Sequence, residues 1–153
     1  FGTPDEVYDR PANLFVAGFI GAPAMNVFPA TIGLKGGAPV ARLKGADVVV
    51  DLSQYPFRAP PREGDSVTLG FRPEHFLAPG EANGHSAAVF TLPVQYTEKT
   101  GGDATGYFKT DSGLLAVSIP PERIGQLRQG DMVSLGFPHG RLHAFDSASG
   151  ERL

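Results

Sequence analysis

Cysteine is absent from this sequence of 153 residues. Without a thiol the chain can form no disulfide, no zinc–thiolate site and no cysteine nucleophile, and a cytoplasmic location fits that absence. The sequence also lacks any run of 18 apolar residues and any signal-peptide pattern. We therefore expect a soluble domain whose association with a membrane comes only through partner proteins.

Concentrated positive charge is also missing. The chain has 13 basic and 16 acidic residues, a formal net charge of −3, and basic residues that are scattered along its length. A protein that binds nucleic acid needs a basic patch or stripe to meet the phosphate backbone. The sequence therefore predicts no nucleic-acid partner.

The familiar signatures of catalysis are absent as well. No Gly-x-x-x-x-Gly-Lys-Ser/Thr loop is present to hold nucleotide phosphates, and there is neither a Gly-x-Ser-x-Gly elbow nor a His-Glu-x-x-His helix. An independent enzyme is thus the least favoured class of protein, and we expect no catalytic residue, cofactor site or metal site in this chain.

What the sequence does contain is 20 glycines and 14 prolines, which interrupt it too often for long helices. Apolar residues alternate with polar ones in many short segments, as in a half-buried strand. The length suits one mainly β domain. Strands are predicted at 27–34, 40–43, 48–52, 67–71, 87–96, 107–110, 114–119, 133–137 and 142–145, with one helical turn after Pro120.

The first 25 residues follow a different, helical pattern. Thr3-Pro4-Asp5-Glu6 is a typical helix start, and a second short helix is predicted from about Ala12 to Ile20. Phe15 and Phe19 lie four residues apart and would share one apolar face. We expect this face to contact the rest of the domain, a second copy of the chain or a domain that precedes Phe1.

One internal repeat is present. The segment from Arg62 to Phe71 and the segment from Arg128 to Phe137 share seven of ten residues at an offset of 66. Both begin with a Gly-Asp turn and continue as an alternating strand. The repeat predicts two similar strand modules that pack together to complete one β core.

Three polar segments are candidates for a site. Arg72-Pro73-Glu74-His75 follows a predicted strand, and its Glu–His pair is compatible with general acid–base chemistry or with a structural or interface role. The spacing of His139 and His143 would suit a metal only on a helix, which Gly140 argues against. Gly101-Gly102 could expose amides to a small anion or form a tight turn between strands.

Three phrases of the sequence carry a resemblance to a known family. The matching residues of the first are Gly2, Pro4, Glu6, Tyr8, Pro11, Asn13, Phe15-Val16-Ala17, Phe19-Ile20-Gly21, Pro23 and Met25-Asn26. The second is Gly70-Phe71-Arg72-Pro73-Glu74-His75 and the third runs from His143 to Leu153, including Asp146. Together they resemble the C-terminal TOBE/OB-fold regulatory domain of ATP-binding subunits of ABC importers for maltose, glycerol 3-phosphate and related sugars.

The resemblance implies an organisation and a set of partners. Residues 1–25 would be the helical tail of a missing nucleotide-binding domain, and residues 26–153 an OB-fold (TOBE/MOP-like) barrel. ATP and magnesium would belong to the missing domain. The partners would be that domain, a second copy of the subunit in a homodimer, and membrane permease subunits that hold the assembly at the inner face of the plasma membrane.

The functional expectation is a non-catalytic regulatory and dimerisation domain that helps to energise import of a sugar or related solute. The alternative is a module that senses a small molecule or an oxyanion, as related duplicated modules do. The structural or interface candidates are Arg72, Pro73, Glu74, His75, Phe15, Phe19 and Asp146.

Overall fold

The computed structural model describes residues 24–82 and 84–153. In these residues the chain forms nine strands and two single-turn 3₁₀ helices, Pro73–His75 and Ile124–Gln126. The strands are β1 Asn26–Lys35, β2 Ala38–Leu43, β3 Val49–Asp51, β4 Ser66–Phe71, β5 Ala88–Thr100, β6 Asp103–Thr110, β7 Gly113–Ser118, β8 Met132–Phe137 and β9 His143–Asp146. Each overlaps a predicted strand, so the mainly β prediction is confirmed. The predicted N-terminal helices, with Phe15 and Phe19, lie outside the described residues.

Two antiparallel sheets make up the fold. The first has the strand order β3-β2-β1-β4-β9 and the second the order β7-β6-β5-β8. Each strand contributes alternate side chains to one side, as the burial of every second residue in the first half of β1 and in β6 shows. The buried faces of both sheets contribute to one hydrophobic core.

Phenylalanine dominates the centre of that core. Phe71 of β4 meets Phe90 of β5 and Phe137 of β8 edge-on, with ring centroids 5.3 and 5.1 Å apart. Phe76, just after the first 3₁₀ turn, lies 4.9 Å from Phe137 in the same T-shaped geometry. Edge-to-face pairs add to the stabilisation from burial alone. The aromatic rings therefore join the two sheets.

The sequence repeat corresponds to a structural repeat. Strand β4 pairs with β1 so that Leu69 faces Phe28, and β8 pairs with β5 so that Leu135 faces Phe90. Each pair continues into an antiparallel hairpin, β1–β2 in one module and β5–β6 in the other. The predicted pair of strand modules completing one core is thus what the structure shows.

The turn that opens each repeat strand is also duplicated. Backbone amides of Arg62 and Arg128 donate to the carboxylates of Asp65 and Asp131, at 2.9 and 3.3 Å. Gly64 and Gly130 both have φ +89°, a conformation that side chains disfavour. The Gly-Asp pair of the repeat therefore sets the entry into β4 and into β8.

Side-chain hydrogen bonds of Asn26 join the two modules. The side-chain amide of Asn26, at the start of β1, donates to the carbonyls of Phe71 and Ala116, at 3.0 and 2.8 Å. Its oxygen accepts from the amide of Ala116 at 2.9 Å. One side chain of the first sheet thus pairs with the β7 backbone of the second as a neighbouring strand would.

The longest hairpin extends further than its apolar pattern predicted. Strand β5 continues beyond Tyr96 to Thr100, and β6 begins at Asp103 instead of Tyr107. The extra residues of β5 are exposed and polar, so no buried face marks them in the sequence, yet their backbones pair fully. Gly101, with φ +60°, forms the tight turn that the sequence indicated.

Candidate functional site

The segment Arg72-Pro73-Glu74-His75 leaves β4 and turns at once. Pro73 opens a 3₁₀ turn, in which the amide of His75 donates to the carbonyl of Arg72 at 3.1 Å. Proline suits this place because it has no amide to leave unpaired. The turn buries Arg72 and Pro73, leaves His75 half-buried and exposes Glu74.

Arg72 and His75 line a cavity of about 760 Å³. Its walls come from four separate parts of the chain: the loop after β3, the turn after β4, the segment leading into β9, and residues 152–153. Among the residues that the structure describes, four arginines line it, Arg58, Arg72, Arg141 and Arg152, and no Asp or Glu side chain does. The described wall of the cavity is therefore rich in guanidinium groups.

His143 lies on the wall of this cavity, 5% exposed. Its Nδ1 is 2.9 Å from the guanidinium of Arg152. Because arginine only donates hydrogen bonds, Nδ1 accepts, and the ring proton is on Nε2. The pKa of His143 is lowered from 6.5 to about 3, chiefly by burial and then by the charges of Arg152 and Arg72. This imidazole is neutral at physiological pH.

Tyr55 connects the loop after β3 to the last strand. Its hydroxyl accepts from the amide of Ala144 at 3.2 Å and donates to the carbonyl of Leu153 at 3.4 Å. Its ring packs against Phe57 with centroids 4.5 Å apart. These contacts hold the wall that carries Arg58 against the wall that carries His143.

Asp146 does not line the cavity but caps the turn that follows β9. Its carboxylate accepts from the amide of Ser149 at 2.8 Å, and its carbonyl accepts from the amide of Gly150 at 2.7 Å. The pKa of Asp146 is lowered, first by the backbone hydrogen bond from Ser149 and then by that residue's side chain. The turn returns the chain so that Arg152 pairs with Phe145 of β9. Asp146 thus places Arg152 beside His143.

His139 also lines the cavity. Its Nε2 lies 3.9 Å from a carboxylate oxygen of Asp51, at the end of β3. The pKa of Asp51 is lowered, mainly by hydrogen bonds from the side chain and backbone of Ser53. His139 and His143 line the same cavity but have different partners. In the part of the chain that the structure describes, no three His, Asp or Glu residues are grouped to hold a metal ion.

The structure brings some of the predicted site residues together and separates others. Arg72 and His75 share the cavity, whereas Glu74 is exposed and does not line it. The Glu–His pair is therefore not arranged for joint acid–base chemistry in this cleft. Gly101 and Gly102 form the tip of the β5–β6 hairpin and are not part of the cavity wall.

Sequence reasoning missed three of the four arginines of the cavity. Arg58, Arg141 and Arg152 occur in unrelated local contexts and meet only through long-range packing. One available signal was that His143 and Arg152 belong to the closing phrase that carried the family resemblance.

The described residues include no helix long and apolar enough to cross a membrane. Their duplicated antiparallel fold is that of an all-β OB-type domain. A solved structure of the cytoplasmic molybdate-binding protein ModG matches this fold with a TM-score of 0.59, covering 78% of this chain and 94% of that chain. The two sequences are 17% identical, so this likeness concerns the fold alone.

Sequence comparison identifies the family more closely. Residues 21–76 match the family model of the MalK OB fold domain. The chain is 35% identical to the lactose transport ATP-binding protein LacK of Rhizobium radiobacter, over 99% of this chain and 40% of that protein. It is 37% identical to the sn-glycerol-3-phosphate import ATP-binding protein UgpC of Chromohalobacter salexigens, over 99% of this chain and 38% of that protein. The trehalose import ATP-binding protein SugC of Mycobacterium tuberculosis is 34% identical, over 99% of this chain and 44% of that protein.

Residues 21–76 therefore match the MalK OB fold domain, and the chain is homologous to part of the ATP-binding subunits of sugar and glycerol-phosphate ABC importers. It spans about two fifths of the length of the curated relatives it matches, 40% of the first and 38% of the second. The predicted resemblance to these subunits and the OB-type fold are confirmed.

Proposed function

We propose that this chain is the non-catalytic regulatory and dimerisation domain of an ATP-binding subunit that energises import of a sugar or related solute. One observation carries the proposal. The match to importer ATP-binding proteins takes in 99% of this chain and only 38–40% of those proteins. The matched 153 residues contain no phosphate-binding loop.

The proposal assigns the rest of the machinery to other parts of a transporter. ATP and magnesium belong to a nucleotide-binding domain, whose helical tail is residues 1–25, and residues 26–153 form the regulatory domain. The family match begins at residue 21, near that boundary, which supports the division. The proposed partners are the nucleotide-binding domain, a second copy of the subunit, and permease subunits that hold the assembly at the cytoplasmic face of the membrane.

A reconstituted transporter tests the regulatory role. The subunit that carries this chain is compared with the same subunit shortened to end before residue 26, each assembled with its permease. We expect the shortened subunit to hydrolyse ATP. When a modulator of transport is added, its rate of ATP hydrolysis should change less than that of the full subunit. We expect the 153-residue chain alone to show no ATP turnover.

Two controls make the comparison decisive. Binding of a fluorescent ATP analogue shows whether the shortened subunit is folded, and cross-linking between subunits reports dimer formation separately from regulation. Unchanged modulation without residues 26–153 would refute a regulatory role. Robust hydrolysis by the purified 153-residue chain would refute the assignment of a non-catalytic domain.

A further inference from the structure

We infer that the outer face of the second sheet binds the same face of a second copy of this chain, with a two-fold axis near Tyr96 and Tyr107. The inference rests on the dimerisation proposed above and names the surface that carries it. Its test separates an error in the choice of face from the absence of a dimer.

The outer face is the side of the second sheet that is turned away from the core. Phe108 of β6 is part of the core, so Tyr107 and Lys109 on either side of it point outward. Tyr107 is opposite Tyr96 of β5, and Lys109 is opposite Leu114 of β7. Side chains that are directly opposite in an antiparallel pair share a face. The tyrosines, the lysine and the leucine therefore form one surface.

Exposed apolar side chains are concentrated on this surface. Of the seven exposed large hydrophobic residues in the part of the chain that the structure describes, four lie here: Val89, Tyr96, Leu114 and Met132. Val89 adjoins the buried Phe90, and Met132 adjoins Val133, which packs against the core, so Val89 and Met132 point outward. Each of the four is 40–63% exposed. Tyrosine and methionine are enriched in protein–protein interfaces, so the composition favours a protein partner.

The tyrosine pair is ordered before any partner binds. The rings of Tyr96 and Tyr107 are stacked, with centroids 4.6 Å apart and planes 20° from parallel. Tyr96 is exposed and Tyr107 half-buried. Because each ring already restrains the other across the two strands, association removes little side-chain freedom from them. The pair is thus suited to the centre of an interface.

Two charged side chains flank the tyrosines on opposite sides. Glu98 lies two residues beyond Tyr96 on β5, and Lys109 lies two residues beyond Tyr107 on β6. Since β5 and β6 are antiparallel, one charge lies towards the hairpin tip and the other away from it. Both side chains are exposed, and within the described residues neither forms a salt bridge.

This arrangement of charge is complementary to itself. A two-fold rotation about an axis near the tyrosines exchanges the two sides of the pair, so Glu98 of one copy meets the partner's Lys109, and the same contact occurs twice. Two-fold interfaces between identical chains require a patch that complements itself. Opposite charges across an interface also fix the register of the partners. The occupant of this face is therefore a second copy of the chain.

Sedimentation velocity of the 153-residue chain at increasing concentration tests the inference. We expect a reversible dimer. Glu98→Lys and Lys109→Glu each bring like charges together twice, so each should raise the dissociation constant roughly tenfold or more. The double variant Glu98→Lys/Lys109→Glu restores opposite charges and should recover the dimer.

Mixing the two single variants tests the symmetry directly. In a mixed dimer both contacts join opposite charges, so the mixture should associate more tightly than either variant alone. Arg42→Glu, on β2 of the first sheet, and Glu63→Lys, in the turn before β4, are the matched controls. Both residues are exposed, and these variants change the net charge by the same amounts. They should leave the dissociation constant unchanged.

The outcomes distinguish the face from the dimer. A dimer that both single variants leave intact, or a mixture that associates no better than its components, would overturn this choice of face and leave the proposed dimerisation standing. A chain that stays monomeric at every concentration would also overturn the inference. Cross-linking of the whole subunit then shows whether the proposed dimerisation fails as well.

Discussion

At the scale of single residues, the burial of His143 makes the free energy of unfolding depend on pH in the acid range. The folded chain keeps this imidazole neutral because its pKa is about 3, whereas an exposed histidine takes up a proton near pH 6.5. Below that pH the unfolded chain therefore binds a proton that the folded chain does not. The free energy of unfolding must fall as the pH decreases from 6.5 towards 3.

We expect this single group to remove about 2 kcal/mol of stability between pH 7 and pH 5, at about 1.4 kcal/mol per pH unit below 6.5. Urea unfolding at the two pH values, for the natural chain and for His143→Gln, measures the contribution. The variant should lose less stability on acidification. His85→Gln alters an exposed histidine and should keep the full pH dependence. Equal pH dependence in all three chains would contradict the assignment.

Asp146 shows how one side chain acts at a distance from the site it supports. It does not line the cavity, but the turn that it caps brings Arg152 back to β9 and onto His143. Of the candidates that the sequence suggested, Asp146 and Pro73 shape the chain, while Arg72 and His75 line the cavity. Phe15 and Phe19 remain predictions, because they lie outside the described residues.

At the scale of elements, the repeated strands β4 and β8 each carry a glycine at the same position of the repeat, Gly70 and Gly136. A side chain at Gly70 would collide with the sulfur of Met25, and one at Gly136 would meet the backbone Cα of Ala82 at 3.0 Å. Each glycine thus lets an incoming segment lie directly on the strand. The two sites differ because a methionine can move aside more easily than a backbone.

This difference predicts unequal costs for the same substitution. We expect Gly136→Ala to destabilise the chain by about 1–3 kcal/mol, the usual cost of overpacking, and Gly70→Ala to cost less. Gly125→Ala is the control, because a Cβ there meets no atom within 4 Å. Chemical denaturation of the three variants gives the comparison. A cost at Gly70 equal to or above that at Gly136 would contradict this account of the packing.

At the scale of the whole molecule, the two modules do not possess separate cores. Phe71 of the first module contacts Phe90 and Phe137 of the second, and the amide of Asp51 donates to the carbonyl of Ala87 at 2.8 Å. Neither sheet can bury its apolar face alone. The modules must therefore fold as one unit.

Calorimetry should accordingly show one unfolding transition for residues 26–153, with equal calorimetric and van't Hoff enthalpies. Phe71→Ala should lower the midpoint of that transition without dividing it, at a cost of about 3–5 kcal/mol for a truncated core aromatic. Leu34→Ala, on a largely exposed side chain of β1, should have little effect. Two separable transitions in either variant or in the natural chain would show that the modules fold independently.

The amino-acid sequence by itself determined where the strands lie and how they turn. Alternation of apolar residues is a local property, so the period-two runs located β4 and β8, and the Gly-Asp phrase located the turn before each. The same local reasoning underestimated the length of the β5–β6 hairpin. Its exposed paired residues, such as Glu98 and Lys99, do not alternate with apolar ones. The family, likewise, was readable from short phrases of sequence.

Only the tertiary structure decided what those elements build together. Arg58, Arg72, Arg141 and Arg152 are separated by up to 94 residues along the chain, and nothing in their local sequence relates them. Their convergence depends on how β4, β9 and the loop after β3 pack, which is set by the shared phenylalanine core. Burial then changed the chemistry of His143, since desolvation acts on a side chain only once its neighbours are in place.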